Sequence, residues 1–93
     1  MVSKEKLFER NLIDLVVKSG GQCLKFTSPG HRGVSDRICL LPNGVTVFVE
    51  VKDEGKGLDP LQLVFRKMVE GLGHKYFLIN SKESLQTFKE LYL

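Results

Sequence analysis

The chain has 93 residues, a formal net charge of +3 at pH 7 and a sequence pI of about 9.0. This length fits one domain, and 42% apolar with 27% charged residues is typical of an ordinary soluble globule and excludes a disordered chain. A domain this small buries only about 60% of its unfolded surface, so a partner subunit would add to its stability. The mild basic excess permits a polyanionic partner without requiring one.

Cysteine spacing and hydropathy place limits on the setting of the protein. The two cysteines, Cys23 and Cys39, form neither a C-x-x-C pair nor a zinc-type cluster, and each lies in an apolar run that predicts a buried free thiol. The longest apolar runs are far short of a membrane span, and the N-terminal residues lack an apolar signal segment. We therefore expect a reducing, cytoplasmic setting.

The first half of the chain predicts one helix and three strands. Ser3 is a suitable N-cap, apolar residues then recur at helical spacing, and the glycines at 20–21 end the helix after about four turns. Residues 22–27, 34–41 and 45–52 read as strands, the second and third joined by a Pro-Asn-Gly turn. Strands this close along the chain should pair as antiparallel hairpins.

The second half predicts a helix, a strand and a last helix. Asp59 as N-cap, Pro60 at the first helical position and Gln62 in a capping box mark the start of the helix. Its predicted buried stripe is Leu61, Val64, Phe65, Met68 and Leu72. Residues 75–80 form the fourth strand, parallel to its neighbour because a helix connects them, and Ser81 caps a last helix that carries Leu85, Phe88 and Leu91. The order αβββαβα predicts an α/β domain over residues 1–93, with a small mixed four-stranded sheet flanked by helices.

Three side chains are candidates for chemistry at one end of the sheet. Strand alternation places Glu50 and Lys52 on one face at the end of an otherwise apolar strand, where they could equally form a plain surface salt bridge. Asp36 and Glu50 each lie about seven residues from the Pro-Asn-Gly turn, so hairpin pairing brings the two carboxylates together. Adjacent carboxylates repel each other unless a hard cation such as Mg²⁺ neutralises them.

Glu9 is a fourth candidate because it lies on the same face of the first helix as the apolar stripe. An unpaired carboxylate is unfavourable there. Two explanations stay open: Glu9 faces the metal centre, directly or through water, or it lies at the edge of the stripe and bonds to Arg10 or a backbone amide.

These residues resemble the signature of the PD-(D/E)XK nucleases. Gly33-Val34-Ser35-Asp36 is followed, after thirteen residues, by Glu50-Val51-Lys52. The chain is still more similar to the VRR-NUC branch of that superfamily. That branch has, in order, an acidic residue in the first helix, an R-G-V-P-D segment, an E-V-K strand end and a helix that starts near Pro-x-Gln. The chain resembles this order along nearly its whole length. Ser35 stands where the branch usually has proline, which shapes the strand and binds no metal.

The resemblance implies a restriction-endonuclease-like core and a metal-dependent endonuclease acting on DNA. It implies that Mg²⁺ or Mn²⁺ is held by Asp36, Glu50, the Val51 carbonyl and, in some form, Glu9. Lys52 would orient or deprotonate the attacking water or stabilise the transition-state oxyanion. Gln62 would hydrogen-bond near the active site, although its capping box is an equally good explanation for it.

Partners follow from the same resemblance, which is closest to stand-alone phage and bacterial members. These imply a homodimer presenting two active sites, in the style of Holliday-junction resolvases, in the cytoplasm of a bacterial host if the chain is phage-encoded. The last helix is one candidate interface. Phosphate contacts are expected from four basic residues, each of which is also explained as a solvated side chain: Lys25, His31, Arg32 and Lys56.

Two other functions remain open on the sequence. The chain could be a non-catalytic nucleic-acid-binding module that keeps the nuclease fold, although Asp36, Glu50 and Lys52 are all present. It could also be an interaction domain that pairs a sheet edge with another chain. The aromatic residues fall on core stripes, which favours recognition of backbone charge and shape over base stacking.

Overall fold

A computed structural model describes residues 2–93 and contains the predicted order of elements. The helices and strands are α1 (Lys4–Lys18), β1 (Gln22–Lys25), β2 (Arg37–Leu41), β3 (Val45–Val51), α2 (Pro60–Gly71), β4 (Lys75–Ile79) and α3 (Lys82–Tyr92). The Ser3, Asp59 and Ser81 N-caps each accept a backbone N–H as predicted, which satisfies a helix-end donor that has no partner within the helix. No helix in this described range is long and apolar enough to cross a membrane.

The sheet has the order β1-β2-β3-β4, with two antiparallel pairs followed by one parallel pair. The β2–β3 connection is a 3₁₀ turn at Pro42–Gly44, in which Asn43 and Gly44 have φ of 67° and 75°. Asparagine and glycine are the residues that tolerate positive φ, so the Asn-Gly signal located this hairpin correctly. The expected mixed α/β sheet is confirmed.

Two apolar clusters divide the helices between the faces of the sheet. On one face α1 and α3 cover Val47, Val49 and Val51 of β3, with Leu12 and Phe88 among the fully buried side chains. On the other face α2 packs through Phe65 and Val69, with Tyr76 of β4 and the partly buried Phe48 of β3. Each fully buried side chain of this size stabilises the fold by about 1.5–3 kcal/mol through lost apolar exposure.

The second strand is shorter than predicted, because residues 34–36 lie before β2 and only residues 37–41 pair regularly. The bond from Phe26 N–H to the Asp36 carbonyl (2.9 Å) extends the β1–β2 ladder by one step. Gly33, at φ +80°, turns the chain before that point and brings the loop against the first turn of α2. Ser35, in the position of the family proline, is fully buried and donates to the Arg37 carbonyl (3.1 Å).

The predicted buried stripe of α2 is wrong in four of its five residues. Phe65 is buried as expected, and Val69 is the other buried residue. The exposed members are Leu61, Val64, Met68 and Leu72. The apolar arc of α2 is wider than the strip of helix that the sheet covers, and periodicity alone does not show which part of a wide arc faces inward. In α3, Leu91 is likewise exposed, and Tyr92 takes the inward position against Phe77 and Phe88.

We predict that Gly33→Ala destabilises the protein by about 1–3 kcal/mol, which lowers Tm by roughly 4–8 °C per kcal/mol in a domain of this size. A Cβ at this position would lie 2.5 Å from the Leu61 carbonyl oxygen, in a backbone conformation that favours glycine. Thermal unfolding by circular dichroism measures the change. Gly30→Ala, in the same loop with nothing within 4 Å of the new Cβ, is the control and should leave Tm within about 1 °C of wild type. Equal Tm values for the two variants would contradict this account of Gly33.

Candidate active site

The register of β2 on β3 brings Asp36 and Glu50 together. Arg37 pairs with Val49 at the end of the ladder, so Asp36 and Glu50 are opposite each other one step further on. Asp36 N–H donates to Glu50 Oε1 (3.1 Å), and Val51 N–H donates to Asp36 Oδ2 (3.2 Å). The two carboxylates are therefore held by the backbone of the neighbouring strand, as counting from the turn predicted.

Gln62 and Lys52 complete the surroundings of Glu50. Gln62 Nε2 donates to Glu50 Oε2 (3.0 Å), while its Oε1 accepts from Asp59 N–H in the capping box (3.0 Å). The side-chain amide of Gln62 thus forms the capping box and the hydrogen bond to Glu50 at the same time, and it connects the start of α2 to the Glu50 carboxylate. Lys52 Nζ lies 3.8 Å from the same Glu50 oxygen, so the salt bridge considered from the sequence is present. This salt bridge is not isolated on the surface, because Glu50 also contacts Asp36 and Gln62.

Burial and like charge make Glu50 an unusual acid. The residue is only 2% exposed, and desolvation, followed by the charge of Asp36 and a hydrogen bond with it, raises the pKa of Glu50 to about 8 despite the opposing effect of Lys52. A divalent cation would remove this repulsion, since hard cations favour carboxylate and carbonyl oxygens. The chemistry of this donor pair therefore fits a hard divalent ion.

Glu9 is not brought to the two carboxylates. Its Oε2 lies 3.1 Å from Arg37 Nε, and Arg37 also donates to the Cys23 carbonyl (3.4 Å). Within residues 2–93 no group of three or more acidic, histidine or cysteine side chains is arranged to hold an ion. The metal role of Glu9 stays a prediction, and its nearest charged partner is an arginine directly after Asp36 in the chain.

Sequence reasoning missed Arg37. The residue begins β2 and alternates with Cys39 and Leu41, both buried on the face that α1 covers. A charge in that pattern needs a partner, and Glu9 on the apolar stripe of α1 needs one as well. Because Arg37 and Glu9 are opposite charges that each lie in an apolar pattern, considering them together would have predicted their ion pair.

The remaining candidates are four basic residues, one in β1 and the others in the loops before Asp36 and after β3. Lys25 ends β1 opposite Arg37, and it is exposed, as are Arg32 and Lys56. His31 is also exposed, with its ring edge-on to Phe65 at a centroid distance of 6.4 Å. These positions leave the four basic side chains accessible to a ligand, and none of them touches Asp36 or Glu50 through a hydrogen bond or ion pair in the described structure.

Comparison with known proteins identifies a phage relative and a solved structure to which the chain is similar. No protein-family model matches the chain. A protein named "Putative nuclease p44", from Acyrthosiphon pisum secondary endosymbiont phage 1, is 41% identical over 80 residues, which are 86% of each chain. A solved structure described as a VRR_NUC domain superposes with a TM-score of 0.92 at 30% identity, covering 99% of this chain and 100% of the other.

The chain belongs to the VRR-NUC family of nucleases. The family that the motifs resembled is thereby confirmed, as is the fold. The substrate of a nuclease is nucleic acid, so the candidate site of this VRR-NUC domain is to be understood in terms of phosphodiester chemistry.

We predict that the metal-free protein becomes less stable as pH rises from about 5 to 8. The raised pKa of Glu50 means that the folded state holds a proton which the unfolded state releases near its ordinary value, so this stabilisation is complete below about 4.5 and is lost by about 8. Thermal unfolding across this range in EDTA measures it. Glu50→Gln keeps the shape without the titration and should flatten the decline in Tm. Parallel curves for the two proteins would show that Glu50 titrates normally.

Proposed function

We propose that this VRR-NUC domain is a metal-dependent endonuclease that hydrolyses phosphodiester bonds in DNA, with preference for branched structures such as four-way junctions. The observation that carries the proposal is the pairing of Asp36 with the buried Glu50 at one end of the sheet, with Lys52 beside them. A desolvated acid pair is unfavourable for a purely structural domain and useful for one that neutralises a phosphate through a cation.

Asp36, Glu50 and the Val51 carbonyl would hold Mg²⁺ or Mn²⁺. When bound, the ion supplies charge neutralisation at the phosphate and a more acidic water. The Lys52 ammonium, held beside Glu50, would orient the attacking water or stabilise the negative charge that develops on the phosphoryl oxygens, whereas deprotonating that water would require its neutral amine. Since Asp36 accepts from the Val51 amide, its carboxylate is already oriented before substrate arrives.

Gln62 and Glu9 have supporting roles in the proposal. Gln62 holds the Glu50 carboxylate in place through an amide that is itself fixed by the cap of α2. Glu9 takes part in the metal's surroundings, through water or on a second ion, after exchanging its contact with Arg37.

DNA is recognised through its backbone. The exposed Lys25, His31, Arg32 and Lys56 are available for phosphate contacts, whereas the aromatic rings are engaged with one another in the two apolar clusters. Such a surface reads charge and shape rather than base identity. A homodimer with two active sites would suit a branched substrate, acting in the bacterial cytoplasm during phage growth.

A non-catalytic nucleic-acid-binding module is the second candidate. One observation favours it: both oxygens of Glu50 already accept hydrogen bonds, from Asp36 N–H and from Gln62. The completeness of the Asp36, Glu50 and Lys52 set favours the enzyme, because a binding module has no need of a buried acid pair.

We predict that the wild type cuts a labelled four-way junction faster than a flap, a duplex or a single strand in Mg²⁺ or Mn²⁺, and that it cuts none of them in EDTA. Asp36→Ala should reduce cleavage on the order of a hundredfold or more, because the carboxylate that holds the ion is lost. Asp14→Ala, on the exposed side of α1, is the matched control and should cut like wild type. Binding without cutting under every metal would replace the enzyme by the binding module.

A further inference from the structure

An apolar surface on one side of the domain is not used by its own core. We call it the apolar patch, and it consists of Leu24, Leu40, Leu61, Val64, Met68 and Leu72. These six side chains are each 42–70% exposed and account for half of the twelve large apolar residues that are exposed in residues 2–93. An apolar patch of a few hundred Å² is about as large as the largest patch on a typical monomer, and such patches are often binding sites.

The patch is formed by one flank of α2 and the strip of sheet that α2 leaves open. Leu24 pairs with Ile38, which pairs with Phe48, and Phe48 packs on Phe65 of α2 at a centroid distance of 5.7 Å. Residues paired across strands share a face, so Leu24 lies on the α2 side of the sheet, as does Leu40 two residues beyond Ile38. The helix packs over β4 and leaves this β1–β2 strip without a cover.

We propose that the apolar patch is the interface between two copies of this chain, related by a two-fold axis. In this arrangement the exposed flank of α2 from one copy covers the open β1–β2 strip of the other, and the reverse contact forms at the same time, as an isologous interface requires. The inference rests on the homodimer of the proposed function and assigns it a surface.

The size of the patch suits this partner. At about half exposure, an aliphatic side chain presents on the order of 60 Å², so the six together present roughly 350 Å² of apolar area per protomer. A standard interface buries about 800 Å² per partner, of which somewhat more than half is apolar. The patch therefore supplies most of the apolar area that a stable dimer of this size needs. The last helix, the earlier candidate, offers only Leu91 and Leu93.

The patch also lies next to the active site. The Leu61 carbonyl is the atom that excludes a side chain at Gly33, and the following residue, Gln62, donates to Glu50. Two copies joined here would hold their active sites close to a shared axis, so that two strands of one DNA substrate can be reached together.

Sedimentation equilibrium without DNA tests the interface independently of cleavage. The wild type is expected at twice the 10.5 kDa chain mass, Val64→Asp and Leu72→Asp at the chain mass, and the control Leu91→Asp at the dimer mass. The variants change exposed side chains, and circular dichroism checks that each is folded. A monomeric wild type at about 100 µM, a dimeric Val64→Asp or a monomeric Leu91→Asp would each overturn the assignment, and a monomer that still cuts DNA would leave the nuclease proposal intact.

A second observation concerns the Tyr76 hydroxyl of β4. Among the buried side-chain nitrogen and oxygen atoms of residues 2–93, it alone has no hydrogen-bond partner. The residue is 4% exposed, its ring contacts Phe65, and the Arg66 guanidinium lies 5.4 Å from the ring centroid. A buried hydroxyl without a partner is unfavourable, and phenylalanine would fill the same space without that disadvantage.

The hydroxyl lies in the field of the active site. In the β3–β4 register Tyr76 is beside Phe48, two residues before Glu50 on the same face of the sheet. Burial first, and then the negative charge of Glu50, raise the pKa of Tyr76, and Asp36 adds to the effect. The one buried side-chain donor without a partner in the described structure thus lies on the strand next to Glu50, on the same face of the sheet.

We infer that Tyr76 is a positioning residue whose hydroxyl donates a hydrogen bond to the Glu50 carboxylate in the metal- and substrate-bound state. The inference rests on the proposed function and adds a residue to it. It explains why a donor that destabilises the free protein stands at this position.

Tyr76→Phe tests the inference, with Tyr92→Phe, on the opposite side of the sheet, as the control. The expected result is an unchanged or higher Tm, about tenfold lower kcat at unchanged KM on the DNA that wild type cuts best, and several-fold weaker Mn²⁺ binding by calorimetry. Mn²⁺ binding needs no cleavage, so this measurement separates the role of Tyr76 from the nuclease proposal. An unaltered Mn²⁺ affinity or an unaltered kcat would overturn the inference, as would a clear loss of Tm.

Discussion

The antiparallel register of β2 on β3 sets the position of the groups at the candidate active site. It places Asp36 across from Glu50, and through the Asp36 and Val51 amides it fixes how the two carboxylates face each other. A slip of one residue would turn every side chain of one strand to the opposite face and separate the pair. The tight turn at Pro42–Gly44 and the valines of β3, buried on one face, both resist such a slip.

The rest of the site is arranged around Glu50, whose negative charge is unfavourable where it lies. Glu50 is buried next to a second carboxylate, and the fold compensates with one amide from Asp36, one from Gln62 and the Lys52 ammonium. Tyr76 nearby keeps a donor that the free protein does not use. Under the proposed function, stability is given up at this end of the sheet in favour of groups that would act once a cation and a phosphate are present, which is common where a site must be preorganised.

The small size of the domain limits how much of the sheet its own helices can cover. The face under α1 and α3 has a full core, whereas a single helix, α2, packs on the second face and leaves part of its own apolar arc and the β1–β2 strip exposed. A second copy at that surface would complete the second core and join two active sites. Stability and the reach of the enzyme along DNA would then depend on the same contact.

The sequence alone determined the features that arise from local patterns. Strand alternation placed Glu50 and Lys52 on one face, the Asn-Gly turn set the hairpin that brings Asp36 to Glu50, and the caps located the helix starts, because each depends on residues close along the chain. Only the tertiary structure decided which part of the apolar arc of α2 is buried, that Glu9 pairs with Arg37, and that Gln62 serves cap and carboxylate together. These features depend on how separate elements pack across the sheet, and the width of an apolar arc or the presence of a charge does not specify its partner.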